Sequence, residues 1–240
     1  MTDAAILSSA DLCARIDHTL LKPEASPADV LRLCDEALAH GFASVCVNGR
    51  HVRAAAGHLR GRVKVCGVAG FPLGAMKPMV KAIEAASLVK DGASEVDFVA
   101  SLPALLACDA DEARAEFIEI TKNVRAVLPS VTVKVILETA ALLAGVSADQ
   151  GEARIAAGCL AARESGCDFV KTSTGFHAAG GATELAVQLL KKHAGPLQVK
   201  ASGGIRTAED ARRMLAAGAT RLGCSSGVAI ATGGAGKAGY

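Results

Sequence analysis

The sequence predicts an α/β fold, a (β/α)8 TIM barrel forming a single domain over residues 1–240. Three observations predict it. Eight short apolar segments alternate with helical patterns along the 240 residues, the rhythm of parallel strands joined by crossover helices. Gly41, Gly92, Gly166 and Gly218 each stand between a helical pattern and the next strand, where glycine accepts the left-handed conformation that stops a helix. Polar side chains collect near the expected C-terminal ends of the strands, the face on which such a barrel builds its site. A doubly wound open sheet is the alternative. It calls for a Gly-rich phosphate turn after the first strand, and Ile16-Asp17-His18-Thr19-Leu20-Leu21-Lys22-Pro23 is not one.

In chain order, residues 1–11 read as a short N-terminal leader, a helix covering one end of the fold. Strands are expected near 13–17, 43–47, 63–69, 95–99, 131–137, 167–171, 197–201 and 220–223. Helices are expected near 27–40, 50–59, 76–91, 110–128, 148–165, 181–193 and 207–217, with a short one after 225. Ser26, Ser147 and Thr207 precede helical runs and can cap them, a side-chain oxygen meeting free backbone N–H groups. Residues 232–240 are Gly-rich and read as a flexible C-terminal tail.

Composition narrows the function. The net charge is +2, aromatic residues are 3% and Trp is absent. A nucleic-acid partner calls for a clustered basic face or stacking aromatics, and none is evident. No apolar run reaches membrane-spanning length. The eight Cys, at 13, 34, 46, 66, 108, 159, 167 and 224, show no Cys-x-x-Cys spacing and read as small buried hydrophobes in a reducing compartment. With no signal peptide at the N-terminus, a soluble, cytoplasmic protein is expected. The six His, at 18, 40, 51, 58, 177 and 193, show neither His-x-His nor His-x-x-x-His pairing, so no metal site is expected.

The chemistry centres on Cys167-Asp168-Phe169-Val170-Lys171-Thr172-Ser173-Thr174-Gly175-Phe176, an apolar strand ending in a lysine. Lys134 and Lys200 occupy two other expected strands. A cation inside an apolar strand is costly to bury, and three of them suggest carbonyl or phosphate chemistry. Neighbouring strands lie about 4.8 Å apart, so Lys171 is expected between Lys134 and Lys200. Like charges and an apolar surround favour a neutral amine, the form that attacks a carbonyl. Asp97, ending the fourth strand, can hold Lys200 or a water and move protons. Two glycine-containing loops follow, Ser202-Gly203-Gly204-Ile205-Arg206 after the seventh strand and Gly223-Cys224-Ser225-Ser226-Gly227 after the eighth. Loops in those positions are the recurrent phosphate cradle of such barrels. Each residue also has a plainer reading: Asp17 as a turn residue, Lys134 as a surface lysine, a buried lysine with Asp97 as a structural ion pair.

The segment Asp168–Phe176 resembles the Schiff-base lysine segment of deoxyribose-phosphate aldolases. The likeness extends from about residue 12 to 230, through Ile16–Pro23, Val45-Cys46-Val47-Asn48, Val68–Gly74, Glu95-Val96-Asp97, Val133–Thr139 and the Lys200 and Ser225 stretches. It implies a class I aldolase that reversibly cleaves 2-deoxy-D-ribose 5-phosphate to acetaldehyde and D-glyceraldehyde 3-phosphate, without a cofactor. Lys171 is implied as the imine lysine, Lys200 as the cation that tunes it and Asp97 as the proton-transfer carboxylate. Gly203, Gly204, Ser225 and Ser226 match the phosphate site; Asp17, Thr19, Cys46 and Lys134 match pocket positions. Val99-Ala100-Ser101-Leu102-Pro103 and Gly49 depart from common family residues and bear on the shape of two loops. Partners are then a small sugar phosphate and an aldehyde. A barrel of this size often pairs through helix faces, which leaves a homodimer open.

Three rival readings stay open. A transaldolase or ketose-bisphosphate aldolase would differ in donor, and a barrel that has lost catalysis would bind sugar phosphate yet form no imine. Some members of that family end in a tyrosine, which makes Tyr240, the only Tyr, a candidate proton relay over the barrel mouth. Deleting Tyr240 is expected to lower both turnover and solvent-proton exchange into acetaldehyde; unchanged values for both would remove that role.

Overall fold

The computed structural model describes residues 8–234. Residues 1–7 of the expected leader and 235–240 of the tail, Tyr240 included, lie outside the described residues. Eight parallel strands close into a barrel in sequence order. They are β1 (Ile16–Leu20), β2 (Ser44–Val47), β3 (Lys64–Ala69), β4 (Glu95–Val99), β5 (Thr132–Ile136), β6 (Phe169–Lys171), β7 (Gln198–Ser202) and β8 (Arg221–Cys224). The helices are α1 (Ser9–Cys13), α2 (Pro27–His40), α3 (Gly49–Leu59), α4 (Pro78–Lys90), α5 (Leu102–Leu106), α6 (Ala110–Val127), α7 (Thr139–Leu143), α8 (Ala148–Glu164), α9 (Glu184–His193), α10 (Ala208–Ala216) and α11 (Gly227–Thr232). Among the described residues no helix is long and apolar enough to cross a membrane.

The punctuation read from the sequence does its expected work. Ser26, Ser147 and Thr207 each accept the N–H three residues on, at Asp29, Gln150 and Asp210, in reciprocal capping boxes. Gly41, Gly92, Gly166 and Gly218 all take positive φ, from 66° to 117°.

The first strand differs from expectation. It begins at Ile16, not near 13, because Leu12 and Cys13 finish α1, which Ser8 caps by accepting the N–H of Asp11. Leu12, Cys13 and Ile16 are all buried, and their spacing is helical, which blurs the boundary. Asp17, expected at the end of the strand, is its second residue and lies deep in the barrel. The helices α5 and α7, five residues each, were not expected, since so short a run carries no periodic signal. The expected tail also begins later: Thr232 ends α11, and Gly233 caps it with φ 76°.

Strand alternation divides the chain into two environments. Val45, Val47, Val96, Val133, Val135, Val170 and Val199 are buried in the apolar cluster that also includes helix residues such as Phe117, Ile120 and Ile155. The residues between them are Ser44, Cys46, Glu95, Asp97, Lys134, Lys171 and Lys200, all buried. The barrel therefore has an apolar shell outside the sheet and a charged interior.

Candidate active site

Lys171 is the last residue of β6 and is 3% exposed. Its neighbours in register are Lys200 on β7 and Ile136 on β5. Lys134 pairs instead with Phe169 on one side and Asp97 on the other. It thus stands mid-strand, two residues below the position expected of it, and Lys171 is not flanked by two lysines in one layer.

What joins the three amines is Asp97. Its Oδ2 accepts from Lys171 Nζ and Lys200 Nζ, each at 2.8 Å, and its Oδ1 accepts from Lys134 Nζ at 2.8 Å. Deeper in the barrel, Lys134 also pairs with Glu95 at 2.6 Å, and Lys200 contacts Asp17. Arg221 closes the floor, reaching Asp17 at 2.7 Å and Glu95 at 3.4 Å. Ser44 Oγ donates to Asp17 Oδ1 at 2.7 Å.

Burial by itself would raise the Asp97 carboxyl, but the ammonium groups of Lys134, Lys171 and Lys200 outweigh it and hold that carboxyl well below the usual range. Asp17 is lowered in the same way, burial being overcome by Lys200, Lys134 and Arg221. Burial would likewise lower Lys200, but Asp17 and Asp97 push it above its ordinary value. Lys134 is raised too, with Asp97, Cys66 and Glu95 outweighing burial. These two lysines are thus fixed as cations, each facing two carboxylates. Among the described residues Lys171 has Asp97 as its one ion-pair partner. Three carboxylates (Asp17, Glu95, Asp97) face four basic groups (Lys134, Lys171, Lys200, Arg221) in this network. If one amine reacts as the free base, the remaining charges balance.

Asp17 is fully buried and committed to the floor network, so its carboxylate is an anchor for Lys200 and Arg221. Thr19 donates to the Asp17 carbonyl at 2.8 Å. Cys46 is beside it, in register with Thr19 and with Cys66. The neighbouring Cys66 side chain lowers the Cys46 thiol, while burial pushes Cys66 well up. Cys46, Cys66 and Asp97 offer ligand atoms within 4.8 Å of one another. We read them as one hydrogen-bonded group rather than a metal site, because the Asp97 oxygens already meet three ammonium groups and Cys66 donates to Oδ1 at 3.1 Å.

The two glycine-containing loops follow the adjacent strands β7 and β8. Gly203 and Gly204 take φ of 90° and 84°, a region L side chains rarely enter. The Gly203 carbonyl accepts from Ala182 N at 3.0 Å, so the loop after β6 lies against the loop after β7. Ser225 is exposed just past β8, and Ser226 is the buried N-cap residue of α11. Across the mouth, over β3 to β6, a cavity of about 430 Å³ is lined by residues including Leu73, Val99, Leu102, Glu138 and Phe176.

The sequence reading missed Glu95, Arg221, Ser44 and Cys66 as interior groups. Glu95 had a usable signal, since it stands two residues before Asp97 and shares its face. Arg221 and Ser44 begin their strands, and nothing local marks a strand's first residue as inward-facing.

Comparison with known proteins bears directly on this lysine-rich barrel. Residues 12–233 match the model of the DeoC/LacD family aldolases. A deoxyribose-phosphate aldolase of Carboxydothermus hydrogenoformans is 47% identical over 230 residues, covering 95% of this chain and 97% of that protein. One of Mycobacterium bovis is 48% identical over 225 residues, with 93% and 96% covered. The solved tetrameric deoxyribose phosphate aldolase of Aeropyrum pernix superposes with a TM-score of 0.84 at 35% identity, over 94% of this chain and 91% of that one. An amine at the end of β6, bridged by one carboxylate to two fixed cations, and near-complete coverage at this identity lead to one assignment: the chain belongs to the DeoC/LacD family of aldolases.

Proposed function

We propose that this chain is a class I deoxyribose-phosphate aldolase, cleaving 2-deoxy-D-ribose 5-phosphate reversibly to acetaldehyde and D-glyceraldehyde 3-phosphate through an imine on Lys171. The observation that carries this is the Lys171–Asp97–Lys200 bridge at the end of β6, with both contacts at 2.8 Å. Relatives at 46–48% identity over nearly the whole chain bear the same name.

The chemistry follows from the charges. Lys171 gives up its proton and attacks the substrate aldehyde carbon, forming a carbinolamine that loses water to become a protonated imine. The C2–C3 bond then breaks, its electron pair moving toward the imine while the C3 hydroxyl loses its proton and becomes the new aldehyde. The enamine that remains takes a proton at carbon, and water releases acetaldehyde. Asp97 is a weak base while three ammonium groups surround it. Once Lys171 is neutral, Asp97 loses one of those partners and becomes the better proton acceptor. Lys200 stays cationic and supports that exchange from the neighbouring strand.

In this reading Gly203, Gly204, Ser225 and Ser226 hold the phosphate, their backbone N–H groups and hydroxyls serving as donors. Asp17, Thr19, Cys46 and Lys134 shape the pocket from below. The reading needs no cofactor. A cytoplasmic setting fits the eight free cysteines. A second copy of the chain is its protein partner, a reading supported by exposed apolar side chains at Met79, Val80 and Ile83 on α4.

Borohydride reduction in the presence of acetaldehyde is expected to leave an ethyl group on Lys171 and abolish activity. Peptide mass mapping checks it, and a wild-type protein with no modified lysine would overturn the imine reading. Gly204→Ala places a methyl group in open space but at positive φ. It is expected to raise KM for the phosphorylated substrate about tenfold and to leave imine trapping intact; an unchanged KM would move the phosphate elsewhere. Sedimentation of the purified chain at micromolar concentration is expected to give a species of twice the chain mass, and a monomer would contradict the pairing.

A further inference from the structure

The steps above leave one buried charge pair without a role. Lys81 on α4 is fully buried and Glu116 on α6 is 3% exposed, and their ammonium and carboxylate groups are in direct contact. The pair lies outside the barrel wall. Among the described residues no hydrogen bond or ion pair joins either side chain to Asp97, Lys134, Lys171 or Lys200.

Each partner also grips the backbone of one turn. Lys81 Nζ donates to the carbonyl of Val99 at 2.8 Å, and Glu116 Oε2 accepts from the N–H of Ser101 at 3.0 Å. Val99 is the last residue of β4, two beyond Asp97. Ala100 N, between the two gripped groups, donates to Ile136 O at 3.0 Å and ties the turn to β5. The same helix holds the end of β3, because Glu84 on α4 accepts from Gly70 N at 2.8 Å. The Lys81 stem runs over Gly70, where φ is 63° and a Cβ would come 3.0 Å from its Cδ. Lys81, Glu84 and Glu116 therefore hold the ends of the two strands that carry Cys66 and Asp97.

Stability alone is a weak reason for such a pair. Well-packed apolar side chains of similar volume often serve as well or better, because both charges must be stripped of water. Apolar replacements cannot, however, satisfy Val99 O and Ser101 N in fixed directions. Asp97 depends on that direction. One carboxylate has to meet three amines at 2.8 Å each, and hydrogen bonds weaken steeply with lost alignment.

We propose that Lys81 and Glu116 are positioning residues for the carbon–carbon cleavage, a clamp on the turn between β4 and α5 that sets the height of Asp97 against the three lysines. The inference rests on the Lys171 reading proposed above.

The test is the double variant Lys81→Met, Glu116→Leu, which leaves no lone buried charge. It is expected to melt cooperatively, to lose kcat by roughly 10- to 100-fold, the scale of a misplacement of about 1 Å, and to keep KM within about threefold. Exchange of solvent deuterium into acetaldehyde is expected to slow by the same factor, a readout that a purely structural pair would not move. A folded double variant with wild-type kcat overturns the proposal, as does a loss carried by KM alone. Should the double variant not fold, Ser101→Pro removes the gripped N–H, and the hydroxyl with it, at a φ of −66° that a proline ring accepts. The same loss of kcat is expected of it, and a wild-type kcat there overturns the clamp. Failure of the underlying reading looks different, since wild-type protein would then trap no imine on Lys171.

Discussion

The carboxylate of Asp97 is the contact on which this barrel's interior depends. Lys134, Lys171 and Lys200 come from three strands into a space that excludes water, and each ammonium group needs an anion within hydrogen-bonding distance. Asp97 meets all three at 2.8 Å. Removing one partner from a buried ion pair typically costs about 3–5 kcal/mol, so the network tolerates little displacement. The same need that holds the interior together leaves Lys171, at the mouth, with the fewest anionic contacts. Structural demand and reactivity are set by one geometry.

That geometry rests on the outer layers. Valines on alternate strand positions pack the sheet against the helices, which fixes each strand's rotation and turns its polar residues inward. The height of β4 is held from outside by Lys81 and Glu116 and from the side by Ile136. Reactive groups sit at the C-terminal end, where loops rather than ladders continue the chain. There the Gly203–Gly204 turn can leave the ordinary backbone region, while the cavity across the mouth joins the apolar Leu73, Leu102 and Phe176 to the polar Glu138 and His177.

Much of this was legible in the chain. The strand and helix rhythm, the capping residues Ser26, Ser147 and Thr207, and the glycine stops are local signals, because each depends on neighbours within a turn or two. Lys171, Lys200 and Asp97 stood out since charge in an apolar strand is costly wherever it lies. The first strand was displaced in that reading because Leu12, Cys13 and Ile16 suit a helix end and a strand start equally well, and Asp17 moved with it from the mouth to the floor.

By itself, the sequence determined the alternation of elements, the amine and carboxylate that meet, and the loops that face the mouth. These follow from side-chain spacing and from the chemistry of single residues. Only the tertiary structure decided that Lys134 lies a layer below Lys171, that Glu95 and Arg221 complete the charge network, and that Lys81 and Glu116 grip the end of β4. Those facts depend on strand register and on which helix faces meet when the barrel closes. Such contacts join residues 15 to 204 positions apart, and no local pattern encodes them.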